Sequence, residues 1–243
     1  MSPKYTFLPT EAAINAMIAN GFEPYEASES RTRIEGKKGF TKHLIRFRQT
    51  NVELALGEAF PELLLLNGHD GSTQWKMMAG FFKVACTNGL IVAESMIEAI
   101  SIRHSGNVAE DVVRGTLSLT EKLPAAIDAI GRWKQLELSN PEQKLFAEAV
   151  RNYRWQDVDG KPNETVKVEQ LLEPRRAIDA NPDLWSVYNR VQENATQGGL
   201  TAVATNGRRS TTRRIKSIDA DVKLNRAMWH LAEGFEKLKT AAA

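Results

Sequence analysis

The sequence holds a single cysteine, Cys86, among 243 residues. One thiol excludes an internal disulfide framework and any metal centre built from several cysteines, and it suits a reducing compartment. Long apolar runs are also missing. The most hydrophobic stretch, VELALGEAFPELLLLNG, is broken by Glu58, Pro61 and Glu62 and falls short of a bilayer span. The opening MSPKYTFLPTEAAINAMIANG lacks the basic-then-apolar layout of a secretory leader. Neither charge sign dominates: 32 Lys and Arg face 30 Asp and Glu, for a net charge of +2. That balance disfavours an acidic mimic of DNA. Familiar catalytic signatures are absent too: no G-x-x-x-x-G-K-[ST], no dinucleotide fingerprint, no G-x-S-x-G. The four histidines, His43, His69, His104 and His230, stand apart, none with a second ligand one helical turn away. These absences predict a soluble protein of the cytoplasm, with no cofactor, no metal centre and no enzymatic activity.

What is present is an ordinary globular composition, 42% hydrophobic and 26% charged, in a chain long enough to bury a core. Residues Glu11–Asn20 read as a helix capped by Thr10 and stopped by Gly21. SRTRIEGKKGFTKHLIRFRQT reads as a β-hairpin turning at Gly36–Gly39. In its second arm His43, Ile45 and Phe47 point one way, and Lys42, Leu44, Arg46 and Arg48 the other, toward solvent or a polyanion. LLLL within Pro61–Asn67 is a buried strand. Trp75–Leu90 fits a helix or a strand equally. Ala99–Asn107 alternates as a strand. Val108–Leu138 is a long helical pattern interrupted at Pro124. Asn140 and then Asn181 open further helices, and Asp219 or Asp221 caps a last one. Residues 201–218 read as a mobile loop. Strands followed by helices predict an α+β fold: an N-terminal helix plus antiparallel β-sheet, then a mainly helical C-terminal half, all in one domain.

Within NGHDGSTQWKMMAGFFKVACTNGL, a nucleophile reading would pair Cys86 with His69 as its base and Asp70 behind it. Asp70 adjoins His69 directly, an awkward place from which to orient it, and Cys86 sits in an apolar run. Gly68, Gly71 and Asn88-Gly89 instead mark two turns around an apolar wall.

Charge is unevenly placed. Arg31, Arg33, Lys37, Lys38, Lys42, Arg46 and Arg48 cluster with one acid, Glu35, among them. Arg208, Arg209, Arg213, Arg214 and Lys216 lie in a stretch, 194–217, with no acid at all. Cations of this density grip phosphates by releasing counterions, and an aromatic side chain among them can stack a base. The candidate nucleic-acid-binding set is therefore these twelve residues, with Lys83 and with Trp75 as the stacking aromatic beside Lys76; Tyr25 is a second candidate for stacking.

Several stretches together resemble one known family. GFTKHLIRFRQ, LLLLNGHDGSTQWKMMAGFFKVACTNGLIV, SIRHSGN, DLWSVYNRVQENATQGGL and TTRRIKSIDADVKLNRAMWHLAE follow in order the pattern of the phage- and plasmid-borne family known as domain of unknown function 932, over nearly the full chain. The resemblance implies a mobile-element setting in a bacterial host cell, and it supplies no catalytic residues. Where the family pattern has arginine before V-C-S-N-G-L, this chain has Lys83, which keeps the charge and loses the bidentate fork. The expectation is a nucleic-acid-binding protein of a phage or plasmid that binds or anneals single-stranded DNA in replication or recombination. A ring or filament of copies would serve annealing. The alternative expectation is a host-directed anti-defence or regulatory protein whose partner is a host protein. No membrane partner is expected.

Overall fold

The structure is a computed structural model that describes residues 9–30, 32–49, 59–69, 74–83, 89–91, 100–102, 108–156, 166–204 and 206–241. The chain divides into two compact units, residues 1–127 and 128–243. The architecture is α+β as expected: an N-terminal helix and antiparallel sheet, then a mainly helical half.

The first unit opens with α1 (Thr10–Ala19), which buries Ala13 and Met17 and ends before Gly21, whose φ of +81° reverses the chain. The cap position is Pro9, not Thr10. Strands β1 (Phe22–Glu29), β2 (His43–Gln49), β3 (Ala59–Asn67), β4 (Trp75–Lys83), β5 (Gly89–Ile91) and β6 (Ile100–Ile102) form one antiparallel sheet. It runs in the order β1-β2-β3-β4-β5, with β6 also on β4. The expected hairpin exists, but its first arm lies earlier in the chain. β1 pairs β2 from Phe22↔Gln49 to Glu29↔His43. The connection carries a 3-10 turn at Glu35–Lys37, and Gly39, with φ +76°, is its left-handed residue. A bulge between Pro24 and Glu26 leaves Tyr25 without a partner on β2. Pro24 and the bulge suit an edge strand, where a missing N–H and a local kink are tolerated.

Trp75–Lys83 is a strand. Its eight-residue ladder with β3, Ala59↔Lys83 to Leu66↔Lys76, settles the helix-or-strand question. Leu63, Leu64, Leu65 and Leu66 are all buried, so both faces of β3 are covered and no alternation marks it. On one face Met77 meets Thr116 of α2 (Val108–Trp133), whose hydroxyl also lies 2.8 Å from the Met17 sulfur. Pro124 lies inside α2 and does not end it.

The second unit is built on aromatic packing. α3 (Asn140–Arg154) starts from a capping box, in which the Ser139 N–H and hydroxyl both donate to Glu142. The cap is thus Ser139, and Asn140 is already helical. A short α4 (Val168–Leu172) precedes α5 (Leu184–Gln197), whose cap is Asp183 accepting from the Ser186 N–H at 2.9 Å. A two-stranded ladder, β7 (Thr201–Val203) with β8 (Arg209–Thr211), follows, and α6 (Ile218–Ala241) closes the chain. Ser217 rather than Asp219 or Asp221 takes the capping role, its hydroxyl 3.4 Å from the Ala220 N–H. Trp133, Trp185, Tyr188 and Trp229 pack with ring centroids 4.5–6.5 Å apart. Their polar ends are satisfied, Trp133 Nε1 on Glu236 and Trp229 Nε1 on Glu233. Among the described residues, no helix is long and apolar enough to cross a membrane.

Candidate nucleic-acid interface

The acid-free basic stretch is an arm with a defined fold, in place of the mobile loop the sequence suggests. Asn206 and Gly207 supply its turn: Gly207 takes φ +77° and its N–H donates to the Ala204 carbonyl, while Ala204 N–H donates to Arg208. Its root is tied to α5. Gly199 N–H donates to Thr212, Thr212 N–H to Leu200 and Ile215 N–H to Thr196, at 2.8–2.9 Å. Gly198 must be glycine on two counts. Its φ is +66°, and a Cβ there would lie 2.7 Å from the Arg213 carbonyl carbon. Gln170 of α4 clamps Thr201 through both its amide ends. Ala202 alone is buried along the two strands. Arg208, Arg209, Arg213, Arg214 and Lys216 are all exposed. Arg208, Arg209, Arg213 and Lys216 make no ion pair with a carboxylate among the described residues. Arg214 acts on Asp221, whose carboxyl burial pushes up to about 6 while the nearby guanidinium opposes that rise.

The earlier basic cluster behaves differently. Glu62 is 1% exposed and receives Arg46 Nε at 2.5 Å and Arg48 Nε at 2.7 Å. Arg46 is itself 7% exposed and also pairs with Glu26. Arg48 stacks on Tyr25, its guanidinium carbon 3.4 Å from the ring centroid. Register explains this. Arg46 faces Glu26 across β1–β2, and β3 brings Glu62 beside both arginines. The face assigned to solvent or a polyanion is therefore an internal ion-pair network, and two of its three cations are held by carboxylates. Lys38 pairs with Glu35 at 2.8 Å on the surface, Arg33 is exposed, and Lys42 is half-buried. Arg31 lies outside the described residues, as do the side chains of Lys37 and Lys83.

Trp75 is completely buried in β4 with its ring edge-on to His69, so it cannot stack a base. Tyr25 is 53% exposed and already lies against Arg48. Asp70, Ser72 and Cys86 lie outside the described residues, so the nucleophile reading is not placed by the fold.

Two groupings escaped the sequence reading. Histidines 26 positions apart meet: His43 and His69 have ring centroids 5.7 Å apart, and both Nε2 atoms contact the Thr10 hydroxyl, at 2.9 and 3.0 Å. The pairing His43↔Asn67 across β2–β3 does this, since it sets His69 two residues beyond His43's partner. The second is α5, buried nearly all round although rich in polar side chains. Arg190 donates to the Asp179 and Asn181 carbonyls and to Gln143; Asn194 donates to the Leu171 and Glu173 carbonyls. Burial lowers the pKa of Arg190. The stretch DLWSVYNRVQENATQGGL is thus a structural spine that organises loops around it and roots the arm.

No solved structure matches this chain. Two proteins of Escherichia coli (strain K12), UPF0380 protein YafZ and UPF0380 protein YfjQ, are each 37% identical to it over 235 residues, covering 96% of this chain and 82% of theirs. The family model described as "Domain of unknown function (DUF932)" matches residues 1–229, and with a match of that extent beside these two relatives, the chain belongs to the DUF932 family.

Proposed function

We propose that this chain binds nucleic acid through the β7–β8 arm, with single-stranded DNA of a phage or plasmid as the target during replication or recombination. The observation that carries the reading is the state of the arm's cations. Arg208, Arg209, Arg213 and Lys216 are exposed and make no ion pair with a carboxylate among the described residues; Arg208 and Arg209 lie on the narrow two-stranded ribbon, and Arg213 and Lys216 follow it where it is tied to α5. A ribbon of this kind lays several guanidinium groups along a phosphate backbone without rearranging the domain beneath it. The β2 cations contribute less, because Glu62 and Glu26 already neutralise them.

The test is a salt titration with labelled single-stranded and duplex oligonucleotides. Five phosphate contacts give a slope of log K against log salt of about −3.5 on a single strand, or about a hundredfold weakening from 50 to 200 mM. Alanine at Arg208, Arg209, Arg213 and Arg214 leaves one cation and a slope of about −0.7. A slope that is flat, or that survives those four substitutions, rejects the reading. A salt-independent host protein retained by the unaltered chain would support the anti-defence alternative.

A further inference from the structure

We propose that Thr10, His43, Asn67 and His69 form a binding site for one divalent transition-metal ion of the zinc class. The site lies at the start of α1, the first residue of β2 and the end of β3, and it is independent of the basic arm. Four side-chain heads converge there. Thr10 Oγ1 lies 2.9 Å from His43 Nε2 and 3.0 Å from His69 Nε2; the Asn67 amide nitrogen lies 3.2 Å from His69 Nε2 and 3.5 Å from Thr10 Oγ1. Ligands bonded to one ion at about 2.1 Å stand about 3.0 Å apart at right angles and about 3.4 Å apart in a tetrahedron. The observed spacings fall in that range.

His43 Nδ1 lies 3.0 Å from the Thr41 carbonyl, so Nδ1 carries the proton and a neutral His43 presents a lone pair from Nε2. If the Asn67 amide donates to His69 Nε2, that atom presents a lone pair as well. In that tautomer Thr10 has one hydroxyl proton for two imidazole lone pairs, so one contact at about 3 Å sets lone pair against lone pair. Asn67 is fully buried, and its Oδ1 has no hydrogen-bond partner. Turning that amide over places Oδ1 among the other three heads. With the His69 proton on Nδ1, all four then offer lone pairs toward one point, the condition a cation satisfies; with it on Nε2 the same heads close a hydrogen-bonded ring without an ion, and the titration below decides between the two. The His43 Nδ1–H to carbonyl bond is the outer contact that orients metal-binding imidazoles, and Thr41 is fixed in turn by donating to Glu29. Two neutral imidazoles favour zinc, nickel or copper over magnesium or calcium. His69 and Asn67 are buried, while Thr10 and His43 are half-buried and provide the way in. Among the described residues no group of three His, Cys, Asp or Glu forms a metal cluster, so the ion would complete its shell with the two neutral oxygens and water.

The experiment uses the full chain carrying Cys86→Ser, stripped of metal with a chelator. Zn2+ is titrated by calorimetry, and Co2+ by its visible absorption. The expected result is one equivalent bound, weakened about a hundredfold by His43→Ala or by His69→Ala and unchanged by His104→Ala or His230→Ala. A second measurement needs no core substitution. Imidazole nitrogen resonances of the four histidines are recorded with and without Zn2+, those of His104 and His230 being identified by their own substitutions. The two remaining histidines should shift together. Absence of one-equivalent binding in the unsubstituted core, or shifts confined to His104 and His230, overturns the proposal.

Discussion

Glu62 is the residue on which the two kinds of cation in this molecule can be told apart. Its carboxylate is inaccessible, and it holds Arg46, whose side chain is 8% exposed, and Arg48, whose side chain is 24% exposed. Glu62→Ala leaves Arg46 inside the protein with only Glu26, itself half exposed, to balance it. Removing one partner of a buried pair costs about 3–5 kcal/mol, and the remaining partner sets the expectation at about 3. That corresponds to a melting temperature lower by roughly 10 °C. Glu26→Ala should cost about 1 kcal/mol or less, because Glu26 is half exposed and Arg46 keeps Glu62, and Lys38→Ala close to nothing, because its pair with Glu35 is exposed. Replacing Arg46 by Met and Glu62 by Leu together should recover most of the loss, because no unpaired charge stays inside. Urea unfolding followed by circular dichroism ranks the four variants. If Glu62→Ala costs less than about 1 kcal/mol, the network is no tighter than a surface pair. The β2 cations would then be available to a ligand after all.

Other expectations follow from single residues. Asp221, pushed up to about 6 by burial, binds a proton more tightly folded than unfolded, so stability should fall as pH rises from about 4 to 6. Asp221→Asn should flatten that slope in a pH series of denaturation curves and raise stability at pH 8 by about 2–3 kcal/mol. Glu142 is held down to about 2 by Ser139 and Lys239, so its opposite contribution is lost only in more acidic solution, from below about 4.5. Gly198→Ala should destabilise by more than Gly207→Ala, since both carry positive φ but only the first drives a Cβ into the Arg213 backbone; the same variant should weaken DNA binding by displacing the arm. Trp75→Ala should lower stability by about 3–5 kcal/mol and leave the salt slope of DNA binding unchanged, because the ring is core. A changed slope would return Trp75 to the interface.

The parts of the fold that the sequence made legible are those whose signal is local. Gly21 stops α1, the leucine run gives β3, and the periodic stretch after Asn107 gives α2. Two further signals were local and misjudged. Ser139 with Glu142 three residues on is a capping box one position before the chosen Asn140, and Asn206-Gly207 between TAV and RST is a hairpin turn inside a stretch whose composition suggested a mobile loop. What was not legible depends on register. Trp75–Lys83 carries apolar spacing that suits either element, so only the ladder with Ala59–Leu66 decides between strand and helix. His43 and His69 read as isolated because their meeting requires His43 to pair with Asn67.

The same dependence on register separates charge count from charge availability. Arg31–Arg48 has more basic residues than the later stretch and was the natural anchor for a phosphate grip. Antiparallel pairing places carboxylates from strands on either side, Glu26 and Glu62, against its last two arginines, so Arg46 and Arg48 are spent on holding their own sheet together. The strand of the arm at 208–216 meets no carboxylate across its ladder. Its ladder partners are Thr201, Ala202 and Val203, none of them acidic, and its root bonds are to backbone and threonine groups of α5 and the residues after it. A strand with no acidic neighbour across its ladder keeps its cations in water, where their counterions can be exchanged for phosphates. For this chain the deciding quantity is therefore which residues lie opposite each arginine, and on that measure the smaller cluster is the one whose cations the proposed polyanion would meet unopposed.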